Sequence, residues 1–344
     1  MYVRNAWYVA AWDHEVKRDM MRRVLLDEPV VLFRRDDGTP VALEDRCCHR
    51  QAPLSMGKLI GNIVECPYHG LQFDTTGKCV KVPSQERIPP SAKVRSYPVV
   101  ERNQWIWIWM GDPSKANPDL IEDFHWFDDP AWGTAGSYLH VEANYLLLVE
   151  NLLDTTHLPF LHPTTLGTDA FARSEFEATH DGDRVQVTRW LMNEAPAPFH
   201  KRMGEFPDGM KVDRWQLTTF GPPCFVKLDV GSAPVGTGAR EGNRSKGINM
   251  WNLNAITPET DKTAHYFFAQ AYNFKVDQKW VQELVRGQVI KAFLEDMGML
   301  SGQQRNMDLG IGQAVVLGQD KAWVAMRRIV DRLIAEEQAG AKAA

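Results

Sequence analysis

At 344 residues the chain is too long for one small core, and a working size of about 150 residues per domain predicts two domains. Its 44% hydrophobic and 24% charged residues are ordinary for a globular protein and exclude a disordered or fibrous chain. A formal net charge of -5 leaves no basic footprint for nucleic acid, and no apolar run reaches the roughly 18 residues of a membrane span.

The opening MYVRNAWYVAAWDHEV lacks the charged start, long apolar core and small-residue cleavage site of a signal peptide, so a cytoplasmic location is expected. From residue 24 to about 110, short β-rich runs alternate with turn residues: VLLDEPVVLFRR, PVALEDR, NIVECPY, LQFDTTGKCVKV and YPVVERNQWIWIWM. This pattern predicts an all-β module. The polar GDPSKANPDL that follows places a boundary near 111–118, giving domains at 1–113 and 114–338. Beyond it, strand-like RVQVTRWLMN, RWQLTTF, CFVKLDV and AHYFFAQAYNF alternate with helical stretches around 145–158 and 278–300. The predicted fold class is α+β. The Ala/Gly/Lys tail at 339–344 is expected to fray.

Five cysteines, Cys47, Cys48, Cys66, Cys79 and Cys224, are an odd and scattered set, which favours thiol or metal chemistry over a disulfide framework. Cys47-Cys48-His49 and Cys66-Pro67-Tyr68-His69 form two mixed knuckles separated by sixteen residues. Each offers one thiolate and one imidazole, so the two together can clamp a two-iron cluster with both sulfurs on one iron and both histidines on the other. That ligation is the Rieske [2Fe-2S] centre, a one-electron carrier. Structural zinc is the competing reading, but zinc knuckles usually pair Cys with Cys and His with His. Gly70 follows the second knuckle, and Cys48 is read as a free thiol because its ligation would break the symmetry with Cys66 and His69.

A second polar set lies in the apolar stretch from Tyr145 to His157, where Asn151, Asp154 and His157 recur every three residues and predict one polar stripe on a helix. His162 lies five residues after His157, about 140° away on a straight helix. Pro159 is expected to break the helix and let His162 swing back. On the helix expected at 278–300, Val281, Val285, Val289, Ala292 and Phe293 define an inward stripe that Asp296 continues, while Glu295 falls on a polar face with Gln288 and Lys291. Two histidines and one carboxylate are the facial triad of oxygen-activating non-haem Fe(II). A one-electron carrier upstream gives such an iron its electrons.

At these residues the chain resembles the Rieske non-haem iron oxygenases, in the group of the vanillate and dicamba O-demethylases and the toluenesulfonate methyl-monooxygenases. The likeness runs through VRNAWYVAAW, EDRCCHRQAPLSMG, ECPYHGLQFD, VVERNQWIWIWMGDP, VENLLDTTHLPFLHPTTLGTD and ITPETDKTAHYFF, nearly the whole chain. The resemblance implies a Rieske β domain, a helix-grip catalytic domain, a head-to-tail homotrimer and a separate NADH-dependent flavin and iron-sulfur reductase. By position it implies Cys47, His49, Cys66 and His69 as cluster ligands and His157, His162 and Asp296 as iron ligands. Asp154 matches a carboxylate bridging to the cluster histidine of the adjacent subunit, and Asn151 a polar residue beside the iron. The chain departs from the group's usual pattern at Cys48, where proline is common, and at Asn254, where the dicamba enzyme has a substrate-holding histidine. The implied reaction is monooxygenation of a methyl or methoxy carbon on a small aromatic acid using O2, with Lys227 and Asn254 as candidate contacts to the anion. A ring-hydroxylating dioxygenase, which shares the metal ligands, and an electron-transfer Rieske ferredoxin are the alternatives.

Overall fold

A strand that is apolar at every position has no face to give to water and must be covered on both sides. The run Trp105–Trp109 meets that condition, and in the computed structural model all five of its residues are buried. The structure describes residues 1–163, 171, 174, 176–312 and 314–343, with main chain only at 341–343. Met1–Ile121 together with Thr257–Asp261 form one compact unit. Its strands are β1 (Trp7–Trp12), β2 (Met21–Leu25), β3 (Glu28–Arg34), β4 (Pro40–Glu44), β5 (Lys58–Ile60), β6 (Ile63–Glu65), β7 (Gln72–Phe73), β8 (Cys79–Lys81), β9 (Ser96–Tyr97), β10 (Val99–Arg102) and β11 (Trp105–Trp109). They form three sheets, ordered β1-β11-β10, β2-β3-β4-β9 and β5-β6-β7-β8. All-β character is as expected, but β1 begins before the predicted strand region. All six of its residues are buried, so the strand carries no alternation to read.

The unit ends at Ile121, beyond the boundary expected at 113, because the segment after β11 is tied back to it. Trp7 Nε1 donates to the Asn117 carbonyl at 2.8 Å, and Arg102 donates to the Pro118 carbonyl at 3.0 Å.

The other unit, Glu122–Ile256 with Lys262–Ala344, is an antiparallel sheet with helices, which makes the chain α+β. Its strands are β12 (Gly133–Val141), β13 (Phe176–Asp181), β14 (Arg184–Glu194), β15 (Val212–Gly221), β16 (Phe225–Pro234), β17 (Ile248–Pro258) and β18 (Ala264–Tyr272). They run as a meander from β13 to β18, with β12 pairing β18 at the far edge. The helices are α1 (Tyr145–Leu153), α2 (Leu158–Leu161), α3 (Pro198–Met203), α4 (Lys279–Asp308) and α5 (Lys321–Ala343). Helix α1 lies against β15 and β16, α4 against β12 and β18, and α5 against β13 and β14. Residue 344 lies outside the described residues, and as far as Ala343 the main chain of the Ala/Gly/Lys tail continues α5. Ala322, Met326, Ile329 and Val330 face inward at helical spacing and hold it.

Helix α1 is buried almost all round, so few bonds to water fix its orientation. Its start is capped by Asn144, whose Oδ1 accepts the Leu146 N–H at 3.0 Å. At its end Glu150 accepts from Arg327 Nε of α5 at 2.5 Å. Burial raises the Glu150 carboxyl, against the pull of Arg327.

Candidate metal centres

The two Cys/His knuckles close with the same backbone bonds. Cys47 N–H donates to Ala52 O and Cys66 N–H to Leu71 O, at 2.9 and 2.8 Å. Gln51 N–H returns to Cys47 O at 2.8 Å, and Gly70 N–H to Cys66 O at 3.1 Å. Both closures need a left-handed residue four positions after the cysteine, with φ +59 at Gln51 and +69 at Gly70. Glycine takes that conformation freely, whereas at Gln51 it costs about 1 kcal/mol. The turns bury Cys47 and Cys66, each 2% exposed, among Leu54, Val64 and Phe73, and leave His49 and His69 exposed with ring centroids 4.6 Å apart. Cys48 is exposed, whereas Cys47 and Cys66 are buried. Burial, then the neighbouring Cys66 thiol, pushes Cys47 up to about 12. Two buried adjacent thiols become thiolates only against a cation, so this donor set fits an iron-sulfur group.

The second constellation is built where α1 stops. The break comes at Asp154, in extended conformation at φ -105 and ψ 96, and not at Pro159, which sits in the first turn of α2 where a missing N–H costs nothing. Asp154 Oδ1 accepts from Thr156 N and Oγ1 at 2.9 and 2.6 Å and so nucleates the turn Thr155–His157. The expected single polar stripe is therefore two segments meeting at Asp154. His162 follows α2 and is brought back beside His157, with ring centroids 5.3 Å apart. Asp296, 3% exposed on α4, reaches both: its Oδ1 lies 3.1 Å from His162 Nε2 and 3.6 Å from His157 Nε2. One donor atom from each of the three lies within 4.8 Å of the others, the spacing a single ion needs.

Each donor is held by an outer contact. His157 Nδ1 donates to the Asp154 carbonyl oxygen at 2.6 Å, and His162 Nδ1 to Glu295 Oε2 at 2.7 Å, which leaves both Nε2 atoms for a metal. Asn151 Nδ2 donates to Asp296 Oδ1 at 3.0 Å. Glu295 is thus not a mere polar-face residue. Its backbone is one step from Asp296, but its carboxylate bends to the histidine. Burial lowers His157; at His162 burial is outweighed by Asp296 and Glu295, which raise it. Carboxylates that favour a charged imidazole favour a bound cation in the proton's place, so the donor set fits a divalent iron.

A pocket lies over this triad, walled by Leu152, Leu158, Phe199, Val230, Met250 and Phe293. Its sheet side is polar: Arg214 and Gln216 from β15 and Asn252 from β17 line it, with His200 from α3. Neither expected anion contact is among the lining residues. Asn254 is one step beyond Asn252 on the same strand face, and its amide is taken: Nδ2 donates to Val226 O at 2.8 Å, and Oδ1 accepts from Tyr266 at 2.6 Å. Lys227 alternates with Leu228, which faces the pocket, and is instead paired with Glu122 at 2.5 Å. Arg214 and Gln216 do carry a sequence signal, a period-two polar row opposite Trp215 and Leu217, but such a row ordinarily means a solvated face.

The Rieske [2Fe-2S] domain family matches residues 6–98, and the vanillate O-demethylase oxygenase C-terminal domain family matches residues 141–336. The chain is 45% identical to the iron-sulfur subunit of a toluene-4-sulfonate monooxygenase system from Comamonas testosteroni, over 99% of each chain. This chain belongs to the Rieske non-haem iron oxygenases. The oxygenase is also 35% identical to a vanillate O-demethylase oxygenase subunit from a Pseudomonas species, over 100% of this chain and 98% of the other. A crystal structure of dicamba monooxygenase bound to 3,6-dichlorosalicylic acid matches it with a TM-score of 0.91 at 36% identity, covering 98% of this chain and 99% of that one. It is the oxygenase component of a Rieske monooxygenase, and its cofactors are a Rieske [2Fe-2S] cluster and a mononuclear iron. Among the described residues no helix is long and apolar enough to cross a membrane.

Proposed function

We propose that this oxygenase hydroxylates a methyl or methoxy carbon of an aromatic acid. One atom of O2 enters the substrate and the other leaves as water, with uptake of two electrons and two protons. A hydroxylated methoxy group is a hemiacetal and collapses to a phenol and formaldehyde; a hydroxylated aryl methyl stays as the alcohol. In this reading Cys47, His49, Cys66 and His69 hold the cluster, and His157, His162 and Asp296 hold the iron. The iron, when bound, supplies dioxygen activation with electrons delivered singly from the cluster.

The chain's own groups orient and exclude. The Asp154 carbonyl and the Glu295 carboxylate fix the two imidazoles, Asn151 fixes Asp296, and the apolar walls keep bulk water from the oxidised carbon. Asp154 offers its carboxylate to the cluster histidine of a neighbouring subunit in a homotrimer, and an NADH-dependent flavin and iron-sulfur reductase in the cytoplasm reduces the cluster. Relatives named as acting on toluene-4-sulfonate, vanillate and dicamba support the substrate class.

The observation that carries this reading is an apolar pocket with the triad at one side and polar side chains at the other. The test is reductase-driven O2 uptake with methoxy, methyl and unsubstituted benzoates and benzenesulfonates. Uptake coupled to formaldehyde or a benzylic alcohol is expected with the first two classes. A cis-diol from the unsubstituted acids would overturn the assignment in favour of ring dihydroxylation.

A further inference from the structure

The sheet side of the pocket holds a charge that the metal chemistry does not use. Arg214 is 7% exposed, lines the pocket, and has its guanidinium 4.6 Å from the centre of the Phe171 ring. Burial lowers it to about 10, so it stays cationic at neutral pH. Gln216 stands two residues along on the same face of β15, and Ser232 on β16 is directly opposite Arg214. The Ser232 hydroxyl meets His200 Nδ1 at 2.5 Å, and burial, then the Arg214 charge, hold His200 well below its usual range and therefore neutral. Asn252 lines the same region, and its buried Oδ1 has no hydrogen-bond partner. Among the described lining residues the one carboxylate is Asp296, on the helix side with the triad.

A guanidinium in a dry pocket presents a planar fork of donors that matches a carboxylate or sulfonate through two parallel hydrogen bonds. We propose that Arg214 is the specificity-determining residue of this pocket: it takes the oxyanion of an aromatic substrate, with Gln216 beside it, and directs the ring's other substituent to His157, His162 and Asp296. The inference rests on the function proposed above and adds which residue reads the acid group. Phe199, Met250 and Phe293 then flank the ring, and the neutral His200 adds no competing charge.

Matched ligand pairs test it. Dissociation constants of 4-methylbenzenesulfonate against 4-methylbenzenesulfonamide, and of 4-methylbenzoate against 4-methylbenzamide, are measured by calorimetry on the iron-loaded holoenzyme. The wild type is expected to favour the anions. Arg214→Gln should weaken the anions by roughly 100-fold, because a desolvated charge partner is lost, and leave the amides within a few-fold. Arg214→Lys should fall between, since the ammonium keeps the charge without the fork. An anion-to-amide ratio unchanged from wild type in either folded variant would overturn the role of Arg214 while leaving the proposed reaction standing. Failure of all four ligands to bind the wild type would overturn both.

Discussion

The two metal centres are made in opposite ways. The knuckles are local: each is a turn of a few residues whose backbone bonds repeat, and the second ligand pair lies sixteen residues after the first. The triad is half local and half remote, for Asp296 reaches His162 from 134 residues away in sequence. A turn-built site is specified by its own peptide and tolerates changes elsewhere. A helix-built site is only as exact as the packing of the helices that carry it, which is why α1 is capped by Asn144 and braced through Glu150 to Arg327.

That contrast can be broken most severely at the knuckles. Cys66→Ser should abolish the visible absorbance and acid-labile sulfide of the cluster, and all turnover with them, while Cys48→Ser should leave the spectrum intact. Equal loss in both variants would mean that the exposed thiol is a ligand. Next, Asp296→Ala should empty the mononuclear site and spare the cluster spectrum, read as iron falling from about three to about two per chain, the third being the mononuclear ion. Glu295→Ala is expected to cost only about 10 to 100-fold in iron affinity or activity, since it acts through His162. The reverse ranking would show that the outer carboxylate is the ligand.

Asp154→Ala sharpens the comparison further, because the side chain and the main chain of that residue do different things. His157 is oriented by the Asp154 carbonyl, which the alanine keeps. The variant should therefore retain its iron and a reducible cluster, yet slow reoxidation of the reduced cluster by O2 in a single turnover by more than about 100-fold, above the usual effect of an outer hydrogen bond. Reoxidation at the wild-type rate would remove the electron-path role. Loss of iron would show that the Thr155–His157 turn collapses without its Asp154 cap.

How much of this was legible follows the same division. The knuckles and the helical phase of Asp296 could be read because turn spacing and helical period are local. A break between His157 and His162 is what Pro159 predicts, since proline is the louder signal; the break lies instead before His157, at an extended Asp154 that looks like any helix residue in sequence. Glu295 belongs by helical phase with Gln288 and Lys291, but its carboxylate meets His162, because a long side chain can leave the face its Cα defines. That Asn254 and Lys227 do not line the pocket has a different reason. Asn252 and Asn254 share a strand face, and only the pairing of Leu228 with Asn252 and Val226 with Asn254 decides which of them meets the pocket. Strand register depends on partners across the sheet, so one sequence alone does not contain it. Helix α5 has an inward row at Ala322, Met326 and Val330, a helical spacing that its Ala-rich end obscures.

The side chains at the far side of the pocket come from three adjacent strands, β15, β16 and β17, and from α3, while every candidate iron donor comes from the segments after α1 and from α4. Evolution can therefore work on two nearly separate alphabets. Exchanges at Gln216, Leu228, Val230, Met250 and Asn252 leave the backbone ladder in place and alter only the cross-strand pairs these side chains make, Gln216 with Val230, Leu228 with Asn252 and Val230 with Met250. The lining of the pocket can therefore change at strand positions while the triad keeps all three of its donors.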